Sequence, residues 1–192
     1  MAIEVKRESL DTKARHVNPA YVDRDGNSFI TSSDKPFPII DVNHLRLHEG
    51  RAYYVYKMFT YGAGLPTTQS IDIAIAWPSG YTPHVVFDFG ASGEAEFYLY
   101  ENPTTSGGTS MTINRRQRII TTPSVAAAVL NPTVSSVGTE IFSNFVPSSK
   151  QGGGAQNFSF EYVLSPLTTY LFRLTNVNTQ SHAAHLMVEW YE

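Results

Sequence analysis

The sequence predicts an all-β protein built as a two-sheet antiparallel β-sandwich, and three observations support this class. Residues 157–176 alternate apolar and polar side chains with a period of two on both sides of a break at residues 165–168, which is typical of strands with one buried face. Further short alternating segments occur elsewhere along the chain, separated by Gly, Pro and Asn. No segment has the helical period over the length of an ordinary helix. The apolar strand faces therefore need a second sheet to cover them.

Each strand is predicted from its own alternation. The segment 42–48 alternates weakly, the run 52–59 is apolar enough to be buried on both sides, and residues 115–134 are expected to form a loop. The segments 158–164 and 170–174 are expected to form a hairpin at the centre of the core. The remaining predicted strands are 71–77, 85–89, 95–99, 111–113, 137–146 and 186–190.

The parity of these strands predicts which side chains are buried. Phe172 falls on the core side, so its loss should be costly, whereas its neighbour Arg173 points outward and should be dispensable in an isolated subunit. Trp77 and Trp190 also fall on the core side.

The N-terminal part differs in composition from the rest. Residues 1–51 hold 16 of the 31 charged side chains of the 192-residue chain. We interpret residues 1–40 as an extended arm and residues 41–192 as the sandwich domain. The alternative is a short hairpin in which residues 21–22 and 29–30 pair across a turn at Asp25-Gly26. The arm contains too few apolar side chains to fold alone, so we expect it to become ordered on contact with a partner. Its candidate contact residues are Lys6, Arg7, Lys13 and Arg15.

Composition argues against several functional classes. The net charge of −3 gives no general attraction to nucleic acid, and the absence of cysteine excludes disulfides and thiolate metal sites. Neither a signal peptide nor an apolar membrane span is visible, so we expect a soluble protein that is made in the cytoplasm and does not bind a membrane.

The chemically versatile residues do not form a recognisable catalytic pattern. The pairs His44/His48 and His182/His185 have spacings that do not place two ligands close together on one strand face. Glu94 and Glu96 share a strand face, as a glycosidase pair would, but that face is the solvent side of strand 95–99. Glu101 completes this carboxylate cluster. We therefore expect no enzymatic activity, no metal and no cofactor.

The arginine cluster of Arg115, Arg116 and Arg118 is the remaining candidate site. It could bind phosphate, but in a chain of net negative charge we interpret it as an interface that forms salt bridges to a neighbouring subunit.

Several blocks of the chain resemble a known group of proteins. These blocks are DVNHLRLHEGRAYYVY, FYLYENPTTSGGTSMTINRRQR, PTVSSVGTEIF and GGGAQNFSFEYVLSPLTTYLFRLTNVN, followed by the ending HLMVEWYE. From about Asp41 to Glu192 the chain is similar to tailed-bacteriophage virion structural proteins, among them the jelly-roll capsid decoration or cement proteins.

The resemblance implies a jelly-roll topology, a place on the capsid surface of a virion, the major capsid protein as partner and no catalytic residue. It also implies symmetric self-association, with a trimer favoured and a dimer second. The alternative function is a head-fibre, tail, or receptor- or carbohydrate-binding sandwich of the same virion.

Overall fold

The computed structural model describes residues 20–22, 28–30, 46–119, 122–147, 154–157 and 161–192, and it gives residues 20–22, 28–30 and 154–157 as backbone only. The chain divides into two compact units, Met1–Asp41 and Val42–Glu192. In the first unit, β1 (Ala20–Val22) pairs antiparallel with β2 (Ser28–Ile30). This is the pairing that the hairpin alternative assigns to these residues.

Strands form nearly all of the regular secondary structure in the described part of the second unit. In chain order they are β3 (Ala52–Phe59), β4 (Ser70–Ala76), β5 (His84–Ala91), β6 (Ala95–Glu101), β7 (Thr104–Ser106), β8 (Thr109–Ser110), β9 (Asn114–Arg115), β10 (Ala127–Leu130), β11 (Thr133–Ser136), β12 (Thr139–Val146), β13 (Gly154–Asn157), β14 (Tyr162–Val163), β15 (Thr169–Asn176) and β16 (Ala184–Tyr191).

The long strands belong to two antiparallel sheets. The first sheet has the order β12-β6-β15-β4-β10-β8, and the second has the order β13-β5-β16-β3-β9, with β14 also pairing with β5. A separate pair, β7 with β11, lies outside both sheets. The two sheets pack face to face, which confirms the predicted antiparallel β-sandwich.

Aromatic side chains from both sheets fill the space between them. Phe89 of the second sheet stacks on Phe97 of the first with ring centroids 4.1 Å apart. Trp77, next to the first sheet, meets Trp190 of the second edge to face at 5.7 Å. Both tryptophans are buried, as their parity predicts. These rings are the centre of the core and supply much of the apolar area removed from water.

The prediction of a hairpin in residues 158–174 is wrong, although both strands exist. Tyr162 of β14 pairs with Val85 in the second sheet, whereas β15 pairs with β4 and β6 in the first sheet. The chain therefore crosses from one sheet to the other at residues 164–168. Both strands can bury aromatic side chains because they face the same core from opposite sides; Phe158 and Phe160 lie outside the described residues.

Three other predictions of secondary structure need correction. Residues 46–48 form a helical turn rather than a weak strand, and Gly50, with φ of 72°, follows its end. Residues 111–113 are not a strand because the chain crosses there between β8 in the first sheet and β9 in the second. The expected loop at 115–134 contains β10 and the start of β11. β10 is apolar throughout and β11 is mostly polar, so neither shows hydrophobic alternation.

Arg173 also differs from its prediction. Its guanidinium donates two hydrogen bonds to Asp72 on the neighbouring strand, at 2.7 Å and 2.6 Å. Asp72 is itself buried, and this hydrogen bond is the main cause that raises the pKa of Arg173. Because removal of the arginine would leave a buried carboxylate without its cation, Arg173 is not dispensable.

We expect Phe172→Ala to lower the free energy of unfolding by about 3–5 kcal/mol, because it opens a cavity beside Phe87 in the aromatic core. Phe145→Ala is the matched control, since Phe145 lies on β12 and is 47% exposed. Chemical denaturation of both variants measures the difference. Equal losses would contradict the assignment of core and surface faces.

We expect Arg173→Met to cost about 2–3 kcal/mol, because it leaves Asp72 buried and unpaired. The double variant Arg173→Met/Asp72→Leu should be more stable than the single variant, because it removes both charges. Denaturation midpoints of the two variants and the wild type test this order. A double variant less stable than Arg173→Met would show that the ion pair is not the reason for the loss.

Candidate functional site

The arginine cluster lies at the edge of the second sheet, where β9 adds two residues to β3. Asn114 and Arg115 of β9 pair with Tyr54 and Tyr53. The loop that follows is held to the sandwich, because the Arg116 amide donates to the Ala52 carbonyl at 3.0 Å. The side chain of Gln117 donates to the His48 carbonyl at 3.1 Å. Backbone pairing therefore fixes the position of the arginines.

A surface pocket of about 560 Å³ opens beside this loop. We call it the arginine pocket. Its described lining residues are Tyr54, Asn114, Arg115, Arg116, Arg118 and Met187. Tyr54 and Met187 project from the outer face of the second sheet, since their neighbours Tyr53 and Val188 are in the core. The pocket thus combines three guanidinium groups with an aromatic and a thioether side chain.

Arg116 is paired within its own chain. Its Nη2 donates to Glu189 Oε2 at 2.6 Å, and Nε also contacts Glu189 Oε1. The prediction that the three arginines form salt bridges to a neighbouring subunit therefore stays a prediction, and Arg116 already has a carboxylate partner within its own chain. Arg118 is exposed and has no ion-pair partner among the described residues.

Glu189 is a half-buried carboxylate at the side of this pocket. Burial raises the pKa of Glu189 above its usual value, the charge and the hydrogen bond of Arg116 lower it, and the nearby Asp88 carboxylate adds a further increase. Burial outweighs the pairing. Glu189 thus bonds Arg116 from a position that solvent reaches only in part.

Exposed apolar side chains continue from the arginine pocket along the outer face of β3. Tyr56 is 56% exposed and stacks on Tyr54 with ring centroids 6.1 Å apart. Met58, two residues further along β3, is 58% exposed. The expectation that the run 52–59 is buried on both sides is therefore wrong, because only one of its faces reaches the core. Exposed aromatic and methionine side chains beside arginine are typical of protein interfaces.

The structure brings Arg115, Arg116 and Arg118 together, as the sequence suggested. The other candidate contact residues, Lys6, Arg7, Lys13 and Arg15, lie outside the described residues. Tyr54, Tyr56, Met187 and Glu189 were missed. The alternation of exposed and buried positions in β3 and β16 was the available signal, but the register that joins the two strands was not visible in the sequence.

The histidines and carboxylates form separate pairwise contacts rather than one cluster. His185 lies 3.1 Å from Asp88, and His182 contacts the carbonyl oxygen of Glu94 at 3.2 Å. Glu96 accepts a hydrogen bond from Tyr98, and Glu101 accepts one from Tyr170. In the part of the chain that the structure describes, no three His, Asp or Glu side chains come close enough to hold a metal ion. His44 lies outside that part.

No family model, curated protein or solved structure matches this chain. The function is therefore inferred from the residues themselves and from the resemblance of the sequence blocks.

None of the described helical residues forms a helix that is long and apolar enough to cross a membrane.

We expect the pKa of Glu189 to lie above its usual value of 4.5 in the folded protein and to rise further in Arg116→Gln, because Arg116 is the group that lowers it. Carbon-detected NMR of the Glu189 carboxyl group over a pH titration measures both values. Arg118→Gln is the control, since Arg118 is not among the groups that shift this pKa.

The sign of the stability effect follows from the raised pKa. Because the pKa of Glu189 is higher in the folded than in the unfolded protein, protonation of Glu189 stabilises the fold. This stabilisation is fully present at pH values below the pKa of the unfolded protein, and it is lost as the pH rises through the pKa of the folded protein. The difference in free energy of unfolding between the wild type and Glu189→Gln should change between these two pKa values. A Glu189 pKa below 4.5 would contradict the described burial.

Proposed function

We propose that this protein is a non-enzymatic virion structural protein of a tailed bacteriophage, and specifically a decoration or cement protein that binds the outer surface of the head. The observation that carries this proposal is the outer face of the second sheet, where the arginine pocket adjoins the exposed side chains of Tyr56 and Met58. This face has the composition of a protein contact surface. A cement protein stabilises a shell by burying surface across its subunits, which needs interface area and no chemical reaction.

The order of the strands supports the jelly-roll assignment implied by the resemblance. Four adjacent strands of each sheet follow the order β12-β6-β15-β4 in one sheet and β13-β5-β16-β3 in the other. From β3 to β6 the chain changes sheet at every step, and it does so again after β12, between β14 and β15, and between β15 and β16. This repeated exchange between two facing sheets is typical of jelly rolls, which occur in many capsid proteins.

The position of the tryptophans bears on one alternative function. A carbohydrate-binding sandwich is expected to present a row of exposed tryptophans, whereas Trp77 and Trp190, the two tryptophans of this chain, are buried. A head-fibre or tail location on the same particle remains the alternative that the experiment below has to distinguish from the head.

The proposal is tested with shells of the phage whose genome encodes this chain. Expanded shells that lack the protein are mixed with the purified chain, and binding is measured by co-sedimentation and by electron microscopy. We expect regular extra density on the outside of the shell and an increase in the temperature at which the shell ruptures. Binding to isolated tails but not to shells would overturn the head assignment.

We expect symmetric self-association, with a trimer as the first expectation and a dimer as the second. Its basis is the low proportion of charged residues, 16%, together with the exposed apolar side chains of the sandwich. Light scattering of the purified protein at micromolar concentration measures the state. A monomer in solution that also occupies shells as single subunits would contradict the expectation.

We expect residues 1–40 to supply much of the attachment to the shell, while the sandwich folds without them. The contacts of this charged segment would be largely ionic, so binding of the full chain should weaken as salt increases. The test is a truncated chain that begins at Pro38, compared with the full chain in binding to shells at low and high salt. The thermal unfolding of both chains serves as the folding control.

Two outcomes separate the candidate anchors. Weak binding by the folded truncated chain supports the N-terminal segment. Full occupancy with unchanged salt dependence would contradict this prediction and would make the loop at residues 115–118 the main anchor.

A further inference from the structure

We propose that the arginine pocket is a carboxylate-binding site that receives an extended acidic segment of a protein partner. The inference rests on the proposed function in one respect only, which is that the partner is identified with the capsid protein. The binding chemistry follows from the residues of the arginine pocket itself.

The charge of the pocket is the first reason. Its described lining includes three arginines and no carboxylate, in a chain whose net charge is −3. Glu189, beside the pocket, bonds Arg116 and holds that guanidinium in place. Arg118 has no ion-pair partner in the described part of the chain and is exposed at the mouth of the loop. A guanidinium group binds a carboxylate with two parallel hydrogen bonds, so this arrangement suits acidic side chains.

The edge of β3 is the second reason, because it gives the ligand its shape. β9 pairs with β3 only at Tyr53 and Tyr54, and the chain before β9 crosses to the first sheet at residues 111–113. Among the described residues, no strand pairs with the free edge of β3 from residue 55 to residue 59. An extended segment can add to such an edge through backbone hydrogen bonds.

The side chains along this edge indicate what the added segment carries. Tyr56 and Met58 are more than half exposed on the outer face of β3, next to the arginine pocket. A strand added to β3 would place its own outward side chains beside them. The segment should therefore have carboxylates at the end that reaches Arg115 and Arg118, and apolar side chains where it passes Tyr56 and Met58. This combination favours a protein segment over a nucleic acid or a free phosphate.

The chemistry is tested with hexaglutamate as the probe, hexaglutamine as the neutral control and inorganic phosphate as the competing anion. Binding to the full chain is followed at low salt by NMR signals of the arginine side chains. We expect hexaglutamate to bind and Arg118→Gln to weaken its binding by about two- to fivefold, since one exposed ionic contact is lost. Arg46→Gln is the matched control, because it removes one positive charge from an arginine that pairs with Glu49 and that belongs neither to the described lining of the pocket nor to residues 55–59 of β3.

Selective weakening of hexaglutamate binding by Arg118→Gln supports the site. Equal weakening by Arg46→Gln would show attraction by overall charge alone and would overturn the proposal, as would hexaglutamate binding that Arg118→Gln leaves unchanged. Phosphate binding as tight as hexaglutamate binding would overturn the assignment to an acidic protein segment.

A second measurement separates this inference from the proposed function. The double variant Arg115→Gln/Arg118→Gln, with its fold verified by circular dichroism, is compared with the wild type for binding to phage shells. Loss of binding by the variant supports the pocket as the shell contact. Binding by both proteins with equal affinity would overturn that contact but not the proposed function. If the wild type binds no shells, the proposed function fails, whereas the hexaglutamate result still measures the site.

Discussion

The stacking of aromatic side chains between the two sheets is the interaction on which the rest of the structure depends. Phe87 and Phe89 of β5 stack on Phe97 of β6 at centroid distances of 4.9 Å and 4.1 Å. Trp190 makes a second ring contact between the sheets, with Trp77. Each sheet buries one face to make this core. The outer faces are consequently free to carry the ionic and partly exposed side chains, and the arginine pocket is built on one of them.

A buried asparagine fixes the loops at one end of this sandwich. Asn176 is fully buried, and its amide donates to the carbonyl oxygens of Leu65 at 2.8 Å and Gln180 at 3.0 Å. Its side-chain oxygen accepts a hydrogen bond from the Asn178 amide. These bonds satisfy the buried amide of the Asn176 side chain. The loop before β4 and the loop after β15 are thereby joined, so the strands that meet in the core also enter it in fixed positions.

The sequence predicted the sandwich well because period-two alternation depends only on local burial. Strand β4 and the burial of Trp77, Phe172 and Trp190 follow from that pattern. It could not show which strands pair, so two strands that are neighbours in sequence, β14 and β15, were taken for a hairpin although they belong to different sheets. It also gave no partner for Arg173, because Asp72 is 101 residues away along the chain.

The candidate site shows the same limit at a finer scale. Three arginines within four positions are visible in any reading of the sequence, but their surroundings come from β3 and β16, which long-range pairing brings beside β9. That pairing places Glu189 opposite Tyr54, where the carboxylate can reach Arg116. One arginine is thus held by the protein itself, while Arg118 is left exposed beside it. A rigid sheet that carries one neutralised and one exposed arginine presents its charge in a defined direction. Such preorganisation is what distinguishes a binding surface from a merely basic loop.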